Sequence, residues 1–218
     1  MEKGRRASRA DGEATRARIL ETAGRLFAAQ GYAETTGKAI AEQAEADLAS
    51  INYHFGSRSG LYMAVLAEAH RRFVSLSDLS LLSQGDLAPS QQLEALFDGL
   101  VERATQRDGW HAQVLARELV SPSSHLQALF KQELVPKLAV IKRIVSQITG
   151  IPENDPALLR CLLNVASPCL MLLMVGQNLP GPLAEVSRMS RPVLVRHLHD
   201  FAMAGLKEVG RQYQLTHR

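Results

Sequence analysis

The sequence predicts an all-α protein built from two helical parts. Three observations lead there. Apolar residues recur at spacings of three and four along nearly every segment, as a buried helix face requires. No run alternates apolar and polar residues between turn formers, so no strand is expected. Asp11, Thr36, Asp47 and Ser57 stand where helix N-caps belong, and Gly31 and Gly56 stand where helices stop. A chain of 218 residues with 46% hydrophobic and 22% charged residues can bury a core in one or two soluble domains. Collagen-like, mucin-like and disulfide-scaffold classes are excluded by the same composition.

The first helix is expected over residues 11–30, where Ile19, Leu20, Ala23, Leu26 and Phe27 share one side, Asp11 caps the start and Gly31 ends it. In front of it, Lys3, Arg5, Arg6 and Arg9 are opposed only by Glu2, so residues 1–10 read as a disordered basic arm or a solvated tail. A short second helix follows Thr36, with Ile40, Ala41 and Ala44 inward. A third covers residues 48–55 behind Asp47, with Ile51 and Phe55 facing inward and Asn52, Tyr53 and His54 on the more exposed arc. Ser57 caps a fourth, which carries Leu61, Tyr62, Val65, Leu66 and Ala69 up to His70, Arg71 and Arg72. Residues 75–90, with Gly85 and Pro89, read as the boundary loop. Further helices are expected at residues 89–106, 111–120, 125–149, 156–177 and 190–212, with kinks near Pro136 and Pro168.

Several chemistries find no support. Cys161 and Cys169, if on one helix, are separated by roughly 12 Å of rise and cannot bridge there. The first residues lack an apolar stretch of the kind that directs secretion, so a reduced, cytoplasmic protein is expected. Residues 157–175 are apolar for about the length of a membrane span, but Arg160, Asn164 and Pro168 interrupt them, and no membrane association is expected. Such a helix buries one face in its own domain and another against a partner. His197 and His199 point about 200° apart on a helix, a poor geometry for a shared ion, so no metal site is expected. Nucleophile elbows, phosphate-binding loops and dinucleotide fingerprints are missing; the protein is expected to be no enzyme and to use no cofactor.

The pair of short helices between Thr36 and Phe55 has the spacing of a helix-turn-helix, whose second member enters a DNA major groove. A plain corner of a helical bundle gives the same apolar spacing. The residues themselves add more. Leu26-Phe27, Gly31-Tyr32, Thr35-Thr36, Ile40-Ala41, then Ile51 through Arg58 and Gly60-Leu61-Tyr62 make this stretch closely resemble the DNA-binding domain of TetR-family transcriptional regulators. Residues 116–150 are similar to the regulatory domain of the CecR-type subgroup.

The resemblance implies a TetR-like architecture: a three-helix DNA-binding domain over residues 11–57, a connecting helix over 58–74 and a helical effector-binding and dimerisation domain over 75–218. It implies double-stranded DNA, a second copy of the chain and an unknown small-molecule effector as partners. By position, Thr36, Lys38, Ala49, Ser50, Asn52, Tyr53, His54 and Arg58 are the expected DNA-binding residues. Their chemistry suits that role, since an Asn amide pairs with adenine and Lys, Tyr, His or Arg can hold phosphate or base oxygens. Relatives usually have glycine in the turn where this chain has Glu45, and Asp47 and Leu48 are also unusual there. For a largely apolar effector, the candidates are Phe97, Val101, Trp110, His111, Val114, Phe130, Asn164, Met171 and Met174, with Arg117 and Leu119 nearby and core packing as their other role. The expected dimer seam uses Leu162, Val165, Leu172, Leu194, Leu198 and Phe201. The expected function is a homodimeric repressor released from a palindromic operator by its effector. The other reading is a helical ligand- or partner-binding dimer without specific DNA recognition.

Overall fold

Helix ends in the N-terminal third are set by side chains that satisfy backbone groups the helices leave open. Thr36 Oγ1 accepts from the Ala39 N–H at 3.1 Å, Asp47 Oδ1 from the Ser50 N–H at 2.6 Å and Ser57 Oγ from the Gly60 N–H at 3.0 Å. The computed structural model describes residues 2–106, 109–175, 182–186 and 188–217, with side chains described outside 2–10, 175, 182 and 183. Every regular element among them is helical: α1 (Glu2–Gln30), α2 (Gly37–Gln43), α3 (Leu48–Phe55), α4 (Arg58–Phe73), α5 (Leu76–Gln84), α6 (Pro89–Thr105), α7 (Trp110–Val120) and α8 (Leu126–Leu129). A π-helical turn (Phe130–Leu134) follows, then α9 (Val135–Thr149), α10 (Pro156–Val175), α11 (Pro182–Val186) and α12 (Arg191–Thr216).

Two compact units result. The first comprises Met1–His70 and Gly109–Leu129, the second Arg71–Asp108 and Phe130–Arg218. In the first, Ile19, Ala23 and Phe27 of α1 meet Ile40 of α2, Ile51 of α3 and Leu61, Val65 and Leu66 of α4 in the buried core. The sequence reading left residues 109–129 in the second domain, and the structure corrects that. Gly24 lets the Trp110 ring lie against α1, where a Cβ would stand 2.3 Å from it. Trp110 Nε1 donates to Glu21 at 2.9 Å, Arg117 donates to the Ala28 and Ala29 carbonyls, and Tyr62 donates to the buried Glu118 at 2.7 Å. These are contacts between residues 86 or more apart in sequence for α1, or on separate helices for α4, and no local pattern announces them.

In the second unit, Leu93, Phe97 and Val101 of α6, Ile144 and Val145 of α9, Leu158 and Leu173 of α10 and Leu194 and Val195 of α12 form the core. Tyr213 donates to Asp155 at 2.6 Å and so fastens the end of α12 to the start of α10.

Other expectations also change. Residues 2–10, expected as a disordered arm, continue α1, and Asp11 lies inside the helix instead of capping it; Ala, Arg, Glu and Lys are good helix formers. The expected loop at 75–90 contains α5, because Ser75 accepts from the Asp78 N–H and Leu79 is buried. The helix expected over 125–149 is interrupted by the π-helical turn, just before Pro136, which cannot donate to the turn behind it. α10 runs continuously through Pro168. Its expected last residues, 176 and 177, lie outside the described residues.

Candidate nucleic-acid interface

α3 is held by one buried residue and by its two ends. Ile51 is 1% exposed and anchors the inner side, which turns Ala49, Asn52 and Tyr53 outward; Tyr53 is 85% exposed. At the C-terminal end, Gly56 adopts φ +77 and accepts the stop that the sequence predicts. Gly60 lies so close to α3 that a Cβ there would be 2.0 Å from the Phe55 carbonyl oxygen. The α3–α4 corner therefore depends on glycine.

At the other end, the turn from α2 closes with the Ala46 N–H donating to Ala41 O at 2.9 Å and the Glu45 N–H to Glu42 O at 3.2 Å. This paired pattern needs a left-handed residue, and Glu45 supplies it at φ +48. A residue with a Cβ in this conformation costs about 1 kcal/mol relative to glycine. Arg18 braces the turn, with Nε donating to Ala44 O at 2.7 Å and Nη2 to Glu45 O at 3.4 Å. Arg16 places its guanidinium 5.0 Å from the Phe55 ring centre, a cation–π contact at the end of α3. Sequence reasoning missed Arg16 and Arg18, because their partners lie 26 or more residues away and no local spacing connects them.

The expected DNA-binding residues divide into three groups. Lys38, Ala49, Asn52 and Tyr53 are exposed on α2 and α3. Thr36 and Ser50 are engaged at helix starts, and His54 is half-buried with its ring edge-on to Tyr53, 5.0 Å between centres. Arg58 turns inward: Nη1 donates to Thr35 O at 2.6 Å and Tyr32 O at 3.2 Å, and the guanidinium lies 4.3 Å from the Tyr32 ring centre. Its geometry is that of a tie between α4 and the loop after α1. Hydrogen bonds from Ser50, its side chain first and then its N–H, hold the Asp47 carboxyl below the usual carboxylate range, so it is ionised at neutral pH.

Residues 19–65 match the family of bacterial regulatory proteins, tetR family. Residues 89–206 match the family described as HTH-type transcriptional dual regulator CecR, C-terminal domain, across more than half of the chain. The chain belongs to the CecR-type TetR family of transcriptional regulators. A relative from Shigella flexneri, the HTH-type transcriptional dual regulator CecR, is 27% identical over 154 residues, 66% of this chain and 69% of its own length. Among solved structures, the fatty acid degradation regulator FadR from Bacillus halodurans is 15% identical, with TM-score 0.69, 88% of this chain and 96% of that chain covered. A TetR-like transcriptional regulator from Rhodococcus sp. RHA1 is 17% identical, with TM-score 0.66 and 88% and 95% covered. At such identities these two structures establish the shared fold alone. In this CecR-type family the members are transcription regulators that bind DNA, not enzymes.

The expected effector residues of this CecR-type regulator are not gathered into one site. Trp110, His111 and Val114 belong to the first unit, where His111 stacks on Trp110 and Val114 is fully buried. Phe97 and Val101 are buried in the second unit's core. Phe130, Asn164 and Met171 are exposed, and Met174 is half-buried. A cavity of about 420 Å³ lies instead between α5, α6 and the start of α12, and none of those residues lines it. The expected dimer seam needs a similar correction. Leu162, Val165, Leu172 and Leu194 are buried within the chain's own core, Leu198 is half-buried and Phe201 is exposed. On α10 the outward large apolar residues among those described are Leu159, Leu163 and Met171, each one position from a buried one, and on α12 they are Val193, Phe201, Val209 and Leu215. A shift of one residue turns a helix by about 100°, and in a helix apolar on all sides the sequence does not say which face meets the core. Among the described residues, no group of three His, Cys, Asp or Glu side chains could hold a metal ion.

Proposed function

We propose that the protein is a homodimeric, cytoplasmic repressor that reads a palindromic operator with α3 and releases it when a small, largely apolar effector binds the second unit. The observation that carries the reading is the outward face of α3. Asn52 and Tyr53 stand free of the core on a two-turn helix whose two ends are fixed by the Glu45 turn with Arg18 and by the Gly60 corner. An Asn amide and a phenol so placed suit a base edge and a phosphate oxygen. One such helix touches only a few base pairs, so a second copy about one helical turn of DNA away supplies affinity and a palindromic site. The exposed apolar residues of α10 and α12 support that second copy.

The test is a titration of the protein against its own upstream DNA and a random duplex at matched salt. A large preference for the former is expected, weakened by about 1–3 kcal/mol in Asn52→Ala and in Tyr53→Ala with the fold intact. Wild-type preference in both variants would remove α3 from the reading role. No preference in the wild type would favour a dimer that binds ligands or partners only.

A further inference from the structure

We propose that the cavity between α5, α6 and the start of α12 seats a small organic cation with an apolar body, and that its occupation unfastens the start of α12. The proposal rests on the regulatory reading and names the ligand chemistry and the part that moves.

The volume of about 420 Å³ lies within the roughly 300–1,000 Å³ of small-molecule sites. Leu79, Leu82, Leu96 and Leu100 give it apolar walls, and Leu81 and Leu87 stand exposed beside them. Its charged lining is unequal: Asp78, Asp98 and Glu102 face only Arg103 and Arg191. Arg103 pairs with Asp78 at 2.9 Å. Arg191 must serve two carboxylates, with Nε donating to Asp98 Oδ1 at 2.7 Å and Nη1 meeting Glu102 Oε1 at 2.9 Å. One guanidinium is shared by two carboxylates, so a negative charge is left over next to an apolar wall. A cationic head with an apolar body matches both features, whereas an anionic head meets the excess of its own sign.

The same residues fasten an element. Arg191 is the first residue of α12, and Asp98 and Glu102 are on α6. These pairs are over a third exposed, so solvent already weakens them and a competing cation can exchange with Arg191 at little cost. α12 also carries Phe201 and Val209 of the proposed dimer face. A ligand that prefers the unfastened conformer shifts the population toward it by its difference in affinity.

Calorimetric titration of the full chain, without DNA, with decyltrimethylammonium, decanoate and decyl glucoside below their micellisation thresholds tests the seat. The cation is expected to bind at least about tenfold more tightly than decanoate, and D98N/E102Q is expected to erase most of that preference while leaving decyl glucoside unchanged. Ala95→Phe fills the cavity from α6 and is expected to abolish binding of all three, with thermal unfolding confirming that it folds. Decanoate binding as tight as the cation, or full binding in Ala95→Phe, overturns the seat. In parallel, decyltrimethylammonium is expected to release wild-type protein, but not Ala95→Phe, from the upstream duplex. Retention of the duplex by cation-saturated wild type overturns the coupling to α12. A chain that prefers no duplex defeats the regulatory reading, and the calorimetry still decides the cavity.

Discussion

Glu45 concentrates in one residue the tension between local backbone and function. Its left-handed φ closes the turn that leads into α3, and its carboxylate lies on an exposed residue one turn from the positions proposed to face the groove. Glu45→Gly is expected to raise stability by about 1 kcal/mol, read as a higher urea midpoint at unchanged slope. It should also tighten duplex binding, because a negative charge beside phosphates is removed. Stabilisation without tighter binding would place the carboxylate away from the DNA. Acid sensitivity has its own residues. Asp47, Asp98 and Asp155 all have lowered pKa values, through hydrogen bonds from Ser50, Arg191 and the Tyr213 hydroxyl. A carboxylate with a depressed folded-state pKa contributes fully above its unfolded value of about 3.9 and loses that contribution as pH falls through the folded value. The urea midpoint should therefore be flat from neutral pH to about 5 and fall below about 4, with a shallower fall in Asp98→Asn. The buried Cys169 thiol, pushed up to about 12 by desolvation, should stay unreactive toward thiol reagents in the native protein.

At the scale of elements, the α3–α4 corner is the joint that sets α3, the proposed reading helix. Gly60→Ala forces a Cβ against the Phe55 carbonyl, and the corner must open. A loss of about 1–3 kcal/mol in stability is expected, together with a loss of duplex affinity that persists at temperatures where the variant is fully folded. Unchanged affinity in folded Gly60→Ala would show that α3 tolerates the opened corner. What was legible in the sequence follows the same division between local and distant causes. The caps Thr36, Asp47 and Ser57 and the stops Gly31 and Gly56 act within three or four residues, so α2, α3 and the start of α4 could be read directly. α5 was hidden because its serines, Asp78 and the following Gly85 also suit a loop, and only the burial of Leu79 decides the matter. The attachment of α7 to α1 rests on Gly24 and Trp110, 86 positions apart, so the sequence did not show that Trp110, His111 and Val114 belong to the first unit. The candidate cavity went unseen for the same reason. It is made by α5, by charges spread from Asp78 to Arg191, and by a space that no periodicity describes.

For the whole molecule, the decisive question is whether the outward side of α10 and α12 meets the proposed second copy. Leu162 and Leu163 are adjacent in sequence and opposite in place: the first is buried in the core, and the second is 66% exposed. Phe201 on α12 is 76% exposed. An isolated chain gains nothing by keeping such residues in water, and a two-fold axis would bury each of them twice. Charge placed on either side therefore has a different consequence. Leu163→Glu and Phe201→Glu are expected to leave the helical content and thermal unfolding near wild type at low protein concentration, yet to sediment as monomers. Leu162→Glu puts an unpaired carboxylate into the core and is expected to lose cooperative unfolding altogether. The monomeric variants should still contact DNA with one copy of α3, so the slope of log affinity against log salt is expected to fall to about half and the preference for a palindrome over a single half-site to vanish. If Phe201→Glu and Leu163→Glu remain dimeric with an undiminished salt slope, the second copy docks elsewhere, and the outward faces of α10 and α12 need a different partner.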